Sequence, residues 1–178
     1  MRSAPNARRE ESAATADERG AMAWLRRVVV GGSAAWAAAL PLATFAAAEP
    51  HPAPVVYLAA FVVYAIGGAV CHQLEPRSFH LWGRQMPVCA RCTGIYLGAA
   101  VAAVLTTLAD RGRPSTAGRL VVAAATLPMA ASLAYEWTTG DVPSNVTRAA
   151  TGIVLGAAVG WLIASGTSRT RDRGTDTM

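Results

Sequence analysis

The sequence predicts an all-α fold, a polytopic transmembrane helical bundle of about five helices. Three observations carry that expectation. Hydrophobic residues make up 53% of the 178-residue chain and charged residues only 15%, against about 25% charged in an ordinary soluble domain. The apolar residues gather into five runs, 28–48, 55–70, 93–109, 120–135 and 149–164, none of which holds Asp, Glu, Lys or Arg. All sixteen basic residues are arginine, giving a net charge of +5, and they lie outside the runs. A nucleic-acid-binding protein would instead gather them into a stripe on one folded face.

Each element follows in order. Residues 1–27 mix Arg, Glu and Asp with Ala, Ser and Pro and offer almost nothing to bury, so they read as a disordered tail. The run 28–48 is long enough to cross a bilayer core, which takes about 20 helical residues. Its flanks, Arg26-Arg27 before it and Ala46-Ala47-Ala48 ahead of Glu49-Pro50, also resemble a signal peptide with a small-residue cleavage site. The run's length and the extension in front of it favour a retained span. The loop 49–54 is proline-rich and has no basic residue. The runs 55–70 and 149–164 show no polar face, which sets them in lipid rather than in a water-soluble core. All but the first run need flanking turns or a locally thin membrane to span it. They must be helices, because lipid offers the backbone no hydrogen-bond partners. The stretch 165–178 is a second polar tail, so the transmembrane domain is 28–164 with a cysteine loop at 71–92.

Five alternating crossings with the N-terminus inside place ten arginines in the cytoplasm (2, 8, 9, 19, 26, 27, 77, 84, 91 and 148) and six outside (111, 113, 119, 169, 171 and 173). The arginine-free first loop anchors that choice. Small residues supply the packing: Gly152, Gly156 and Gly160 recur every fourth position, and Gly94 and Gly98 do the same in the third run. Such strips let helix backbones approach closely, within one chain or between copies in a homo-oligomer.

Chemistry concentrates in 71–92, which holds all three cysteines and two of the three histidines. Cys89-x-x-Cys92 sets two thiols one turn apart, and Cys71 with His72 or His80 completes a Cys3His set for zinc or another divalent transition metal. Seventeen residues separate Cys71 from Cys89, within the span of a zinc loop. Adjacent Cys71 and His72 converge only if the helix has ended, which Pro76 favours. The alternatives are a dithiol–disulfide pair with Cys71 as the third thiol, and plain apolar packing of the cysteines at helix ends. On the cytoplasmic face the thiols stay reduced and free to ligate; on the outer face a disulfide is expected. The inside assignment therefore favours metal.

Cys71-His72-Gln73, Arg77-Ser78-Phe79, Gly83 and the run from Pro87 through Cys89, Arg91, Cys92, Gly94 and Tyr96 resemble the signature of an uncharacterised family of prokaryotic membrane proteins, domain of unknown function 2085. The resemblance covers roughly 55–162. It implies a small multi-pass protein of the prokaryotic plasma membrane with this loop as its functional centre, and it favours His72 over His80 as the fourth ligand.

Arg77, Arg84 and Arg91 read first as headgroup-level anchors and second as an anion site for a lipid phosphate. Arg91 stands apart, because a guanidinium inside the CxxC favours the thiolate forms. Glu136 reads most simply as a solvated helix end; alternatively it orients His72 or transfers a proton. No phosphate-binding loop, hydrolase elbow, HExxH or CxxCH is present, so no enzyme activity is assigned. A transporter or channel would need polar residues at mid-membrane, and the runs offer almost none.

Overall fold

A computed structural model describes residues 4–109 and 116–166; the expectations for 110–115 and for most of the second tail lie outside the described residues. The elements are α1 (Ala4–Ala48), α2 (Pro54–Val70), a 3-10 turn (Glu75–Arg77), a hairpin of β1 (Ser78–Leu81) and β2 (Arg84–Cys89), then α3 (Ala90–Leu108), α4 (Thr116–Thr139) and α5 (Asn145–Gly166). Among the described residues, four stretches are long and apolar enough to cross a membrane: Ala23–Ala48, Ala90–Leu108, Gly118–Thr139 and Asn145–Ser165. The exception is α2, whose 17 residues extend about 25 Å at 1.5 Å per residue, short of a roughly 30 Å hydrocarbon core.

Two local features stand out. First, α1 begins at Ala4, within the amino-terminal polar segment. Its opening turns are rich in Ala, Arg and Glu, strong helix formers that need no buried face. Second, the cysteine loop is not an open loop. Trp82 and Gly83 both take left-handed conformations (φ 52 and 73), the geometry of a two-residue hairpin turn. The strands pair antiparallel, with Ser78 opposite Cys89 and His80 opposite Gln85.

The hairpin folds onto the helices before it. Tyr64 Oη donates to the Gln85 carbonyl at 2.6 Å. The Gln73 amide reaches the Tyr64 carbonyl at 3.0 Å and the Pro87 carbonyl at 2.5 Å. A Cβ on Gly67 would collide with the Pro87 carbonyl, so this helix and strand approach as closely as glycine allows. The turn reaches α1, where the Trp82 and Phe45 rings meet edge to face at 5.3 Å.

This arrangement sets the helix directions. Along β2, residues 85 and 87 meet 64 and 67 of α2, so strand and helix run the same way, and α3 continues from the strand. Trp36 of α1 meets Tyr96 of α3 at 6.0 Å, Leu40 packs in a core with Val88 and Cys92, and Ala34 lines a cavity with residues up to Leu105. Numbers fall along α1 as they rise along α3, so the two are antiparallel. In contrast, α3 and α5 are parallel: Gly94 abuts Ala149, Gly98 abuts Ile153, and Gly160 abuts Ala99. The α4 end returns to the α3 start, where Ser132 and Glu136 meet Arg91.

The chain therefore does not alternate through five crossings, because α2, β2 and α3 share one direction. The grouping of Arg77, Arg84, Arg91 and Arg148 with the N-terminal arginines is overturned. They lie at the end where α3 and α5 start, opposite the end that holds Arg26, Arg27 and Arg119. The five glycines all face the α3–α5 seam, where a Cβ on Gly94, Gly98, Gly152, Gly156 or Gly160 would overlap a backbone carbonyl of the other helix. The strip is thus engaged within the chain.

Candidate functional site

Three elements deliver the three cysteines. Cys71 follows α2 in an extended conformation (φ −146, ψ 138) while its N–H still bonds the Gly67 carbonyl, so the helix has ended at this residue. Cys89 closes β2 and is the N-cap of α3. Cys92 sits one turn inside α3, on the same face as Cys89. Their sulfurs all lie within 4.8 Å of one another, and all three thiols are free. Zinc–thiolate bonds of about 2.3 Å in a tetrahedron place sulfurs about 3.8 Å apart, so small side-chain adjustments close the set on an ion. The donor chemistry fits a thiophilic divalent metal with three protein ligands.

The sulfurs are embedded in the core made by Leu40, Met86 and Val88, flanked by Trp36, Phe79 and Tyr96. Backbone N–H groups compensate that burial, as the Cys89 N–H donates to the Cys71 sulfur at 3.2 Å. A hydrogen bond from the Cys92 thiol brings the Cys89 pKa down from 9.0 to about 5, opposed by burial and assisted by the Cys92 N–H, the Cys71 thiol and the Arg91 N–H. A hydrogen bond stabilises the charged form, which is how it lowers the value.

His72 is exposed and outside the thiol cluster. It lines the same cavity, of about 420 Å³, that opens over Cys71, Cys89 and Cys92 and is bounded by Val70, Leu74, Met129, Arg77, Arg91 and Arg148. His80 is half exposed on the hairpin, 3.9 Å from Glu75, away from the thiols.

Glu136 is the main correction to the site. It is 7% exposed, and three arginines converge on it: Arg77 at 2.6 Å, Arg91 at 3.5 Å and Arg148 at 3.7 Å. It is a buried counter-ion and not a solvated helix end, and the arginines, rather than His72, are its partners. Arg77 and Arg91 are accordingly not simple headgroup anchors. Arg91 also donates to Ser132 Oγ at 3.2 Å, tying α3 to α4. Arg84 stands apart, at a cavity with Glu49, Tyr57 and Tyr64.

Sequence reasoning missed Arg148 and Asn145 as parts of this centre, and had Gln73 only as a position of the family signature, with no role. Arg148, 2% exposed, opens α5 beside Glu136. Gln73 bolts the hairpin to α2, and Asn145 donates to the Ser78 carbonyl at 3.0 Å, holding the α5 start against the hairpin. The one available signal was the position of Arg148 just before a charge-free run, at the same end of its helix as Arg91.

Residues 71–162 match the model of a family described as Predicted membrane protein (DUF2085). Among individual proteins, the uncharacterized protein MJ1492 of Methanocaldococcus jannaschii is 46% identical over 43 residues, 24% of this chain and 28% of that protein. An uncharacterized protein of Methanothermobacter thermautotrophicus is 57% identical over 30 residues, 17% of this chain and 27% of that protein. The chain thus spans under a third of either relative's length. No solved structure matches.

Proposed function

The chain belongs to the DUF2085 family of predicted membrane proteins, whose matched segment opens on Cys71, and we propose that its three thiols hold one zinc or similar divalent ion at the membrane interface. The observation that carries this reading is the convergence of Cys71, Cys89 and Cys92 sulfurs from three separate elements within 4.8 Å. Three thiol ligands leave a fourth coordination position, and the cavity lies over them. A site with three protein ligands keeps that position for water or substrate, whereas a fourth ligand makes it structural. His72 on the cavity wall is the candidate for that fourth place.

Orientation follows from charge. Arg26, Arg27 and Arg119 stand at the amino-terminal end of the bundle; in sequence, Arg2, Arg8, Arg9 and Arg19 precede it, Arg111 and Arg113 link α3 to α4, and Arg169, Arg171 and Arg173 follow α5. That is twelve of sixteen arginines, against four at the thiol end. Positive residues mark the cytoplasmic side, so the N-terminus is cytoplasmic and the thiols face outward across the plasma membrane of a prokaryote. The arginine-free segment 49–53 agrees.

That placement supports a second reading, a membrane thiol–disulfide protein. Cys89 at a helix N-terminus, with its thiolate favoured, has the character of a reactive thiol, and outward-facing dithiols meet oxidants.

Elemental analysis of detergent-purified protein, prepared reduced and without chelator, separates the two. The metal reading expects one ion per chain, lost in Cys89→Ser. Metal-free protein with a reversible Cys89–Cys92 disulfide, seen as a mass shift after alkylation, overturns it in favour of the redox reading.

A further inference from the structure

The arginine cluster carries more charge than Glu136 neutralises. Arg77, Arg91 and Arg148 face a single carboxylate. With neutral thiols the excess is two positive charges; with a divalent ion on three thiolates it is one. Two of these arginines are deeply placed, the Arg91 side chain being 10% exposed and the Arg148 side chain 2%. Nε of Arg91 and both Nε and Nη1 of Arg148 are buried without a hydrogen-bond partner among the described residues. Nη1 of Arg148 meets Glu136 only at ion-pair distance, 3.7 Å, and buried guanidinium N–H groups left without a hydrogen bond are costly.

Both side chains form the wall of the 420 Å³ cavity over the thiols. We propose that this cavity is a binding site for a phosphate-class oxyanion, gripped by the donors of Arg91 and Arg148 that Glu136 does not fill, with Arg77 at its mouth. Guanidinium groups present paired N–H donors that match two oxygens of a phosphate. The cavity is larger than a phosphate needs, and its rim explains the remainder. Val70 and Leu74, 56% and 48% exposed, border it, and both are apolar surface that lipid chains would cover. The geometry favours the headgroup of a phospholipid over free phosphate as the source. The site stands whether or not the thiols carry a metal.

Binding is read by native mass spectrometry and by thermal shift on the detergent-purified full chain. The arms are phosphatidic acid, phosphatidylglycerol, phosphatidylcholine and inorganic phosphate. One anionic phospholipid should be retained per chain and should raise the melting temperature, with phosphatidylcholine much weaker. Arg148→Lys keeps the charge but loses the fork, and should weaken binding by about tenfold or more. Arg148→Gln should abolish it. Parent protein stripped of metal with a chelator should bind as the untreated parent does, which keeps a failure of the metal reading separate. Stabilisation by inorganic phosphate alone supports the oxyanion site and assigns it to a free phosphate. Equal retention of all lipids by the parent and Arg148→Lys overturns the proposal, as does the absence of any anion effect in a folded parent.

Discussion

The Cys89 backbone N–H donates to the Cys71 sulfur at 3.2 Å, joining thiols 18 residues apart. That bond exists only because the hairpin returns the chain to the end of α2. The Gln73 bonds to Tyr64 and Pro87 and the bare Gly67 surface hold it there. The thiol set is therefore assembled by the fold before any ligand arrives.

Ligand and cavity-wall residues should separate in chelator competition. Cys71→Ser and Cys92→Ser remove a donor and should leave no stoichiometric metal. His72→Ala should retain metal at high concentration. If His72 occupies the fourth position, it should lose that metal far more readily than the parent. If the position belongs to water or substrate, the curves of His72→Ala and the parent coincide.

The reactivity of Cys89 has a definite pH dependence. Its pKa is brought from 9.0 to about 5, so in metal-free reduced protein it is a thiolate at neutral pH. Its alkylation rate should hold steady from pH 8 to about pH 6 and then fall about tenfold per unit below pH 5, the ordinary titration slope. A depressed folded-state pKa favours the native state above the unfolded value, and that contribution fades as pH falls toward 5. Mass-resolved alkylation across pH checks this; a rate already falling at pH 8 would return Cys89 to an ordinary thiol.

How far the sequence was legible can be seen in these residues. Charge-free runs revealed α3, α4 and α5, and Cys89-x-x-Cys92 announced two thiols on one helix face. The glycine spacing placed a close helix contact, though not which helix filled it. The direction of α3 was illegible, since it depends on a hairpin whose local signal, Trp82-Gly83, is weak beside the cysteines. That one reversal moved four arginines to the other end of the bundle. Glu136 looked solvated because its three partners come from the 3-10 turn, α3 and α5, a long-range convergence no local pattern encodes.

Glu136→Gln preserves shape while removing the carboxylate that three arginines share. Breaking a buried ion pair on one side typically costs about 3–5 kcal/mol, and here three guanidinium groups lose their partner together. The variant should unfold in detergent at a markedly lower temperature than the parent, with phosphate-containing lipid restoring part of the loss. A melting temperature equal to the parent's would show that Glu136 bears no charge-balancing role.

The glycine seam gives a contrast within one molecule. Gly152→Ala and Gly156→Ala each place a methyl against a carbonyl of α3, at Arg91 and Ile95. Overpacking of this kind costs about 1–3 kcal/mol. Gly31→Ala and Gly32→Ala meet nothing within 4 Å, and by helix propensity they should be neutral or stabilising by up to about 1 kcal/mol. Thermal unfolding of the four variants should split them into two pairs; equal effects would mean that α3 and α5 are not in backbone contact.

The last expectation concerns the faces of the membrane. Strict alternation would put the thiol end and the N-terminus together, whereas the hairpin separates them. In the proposed orientation the twelve other arginines fall on the cytoplasmic side, and three of the four at the thiol end are arranged around Glu136. A membrane-impermeant thiol reagent applied to intact cells tests this directly, using Trp82→Cys in a variant whose three native cysteines are replaced by serine. Trp82 is 58% exposed at the hairpin turn, so its substitute should label from outside, while Arg119→Cys in the same background should label only after the cells are opened. Labelling of the Arg119 position in intact cells, with protection at position 82, would invert the protein and return the thiols to the reducing side, where metal ligation needs no protection from oxidants.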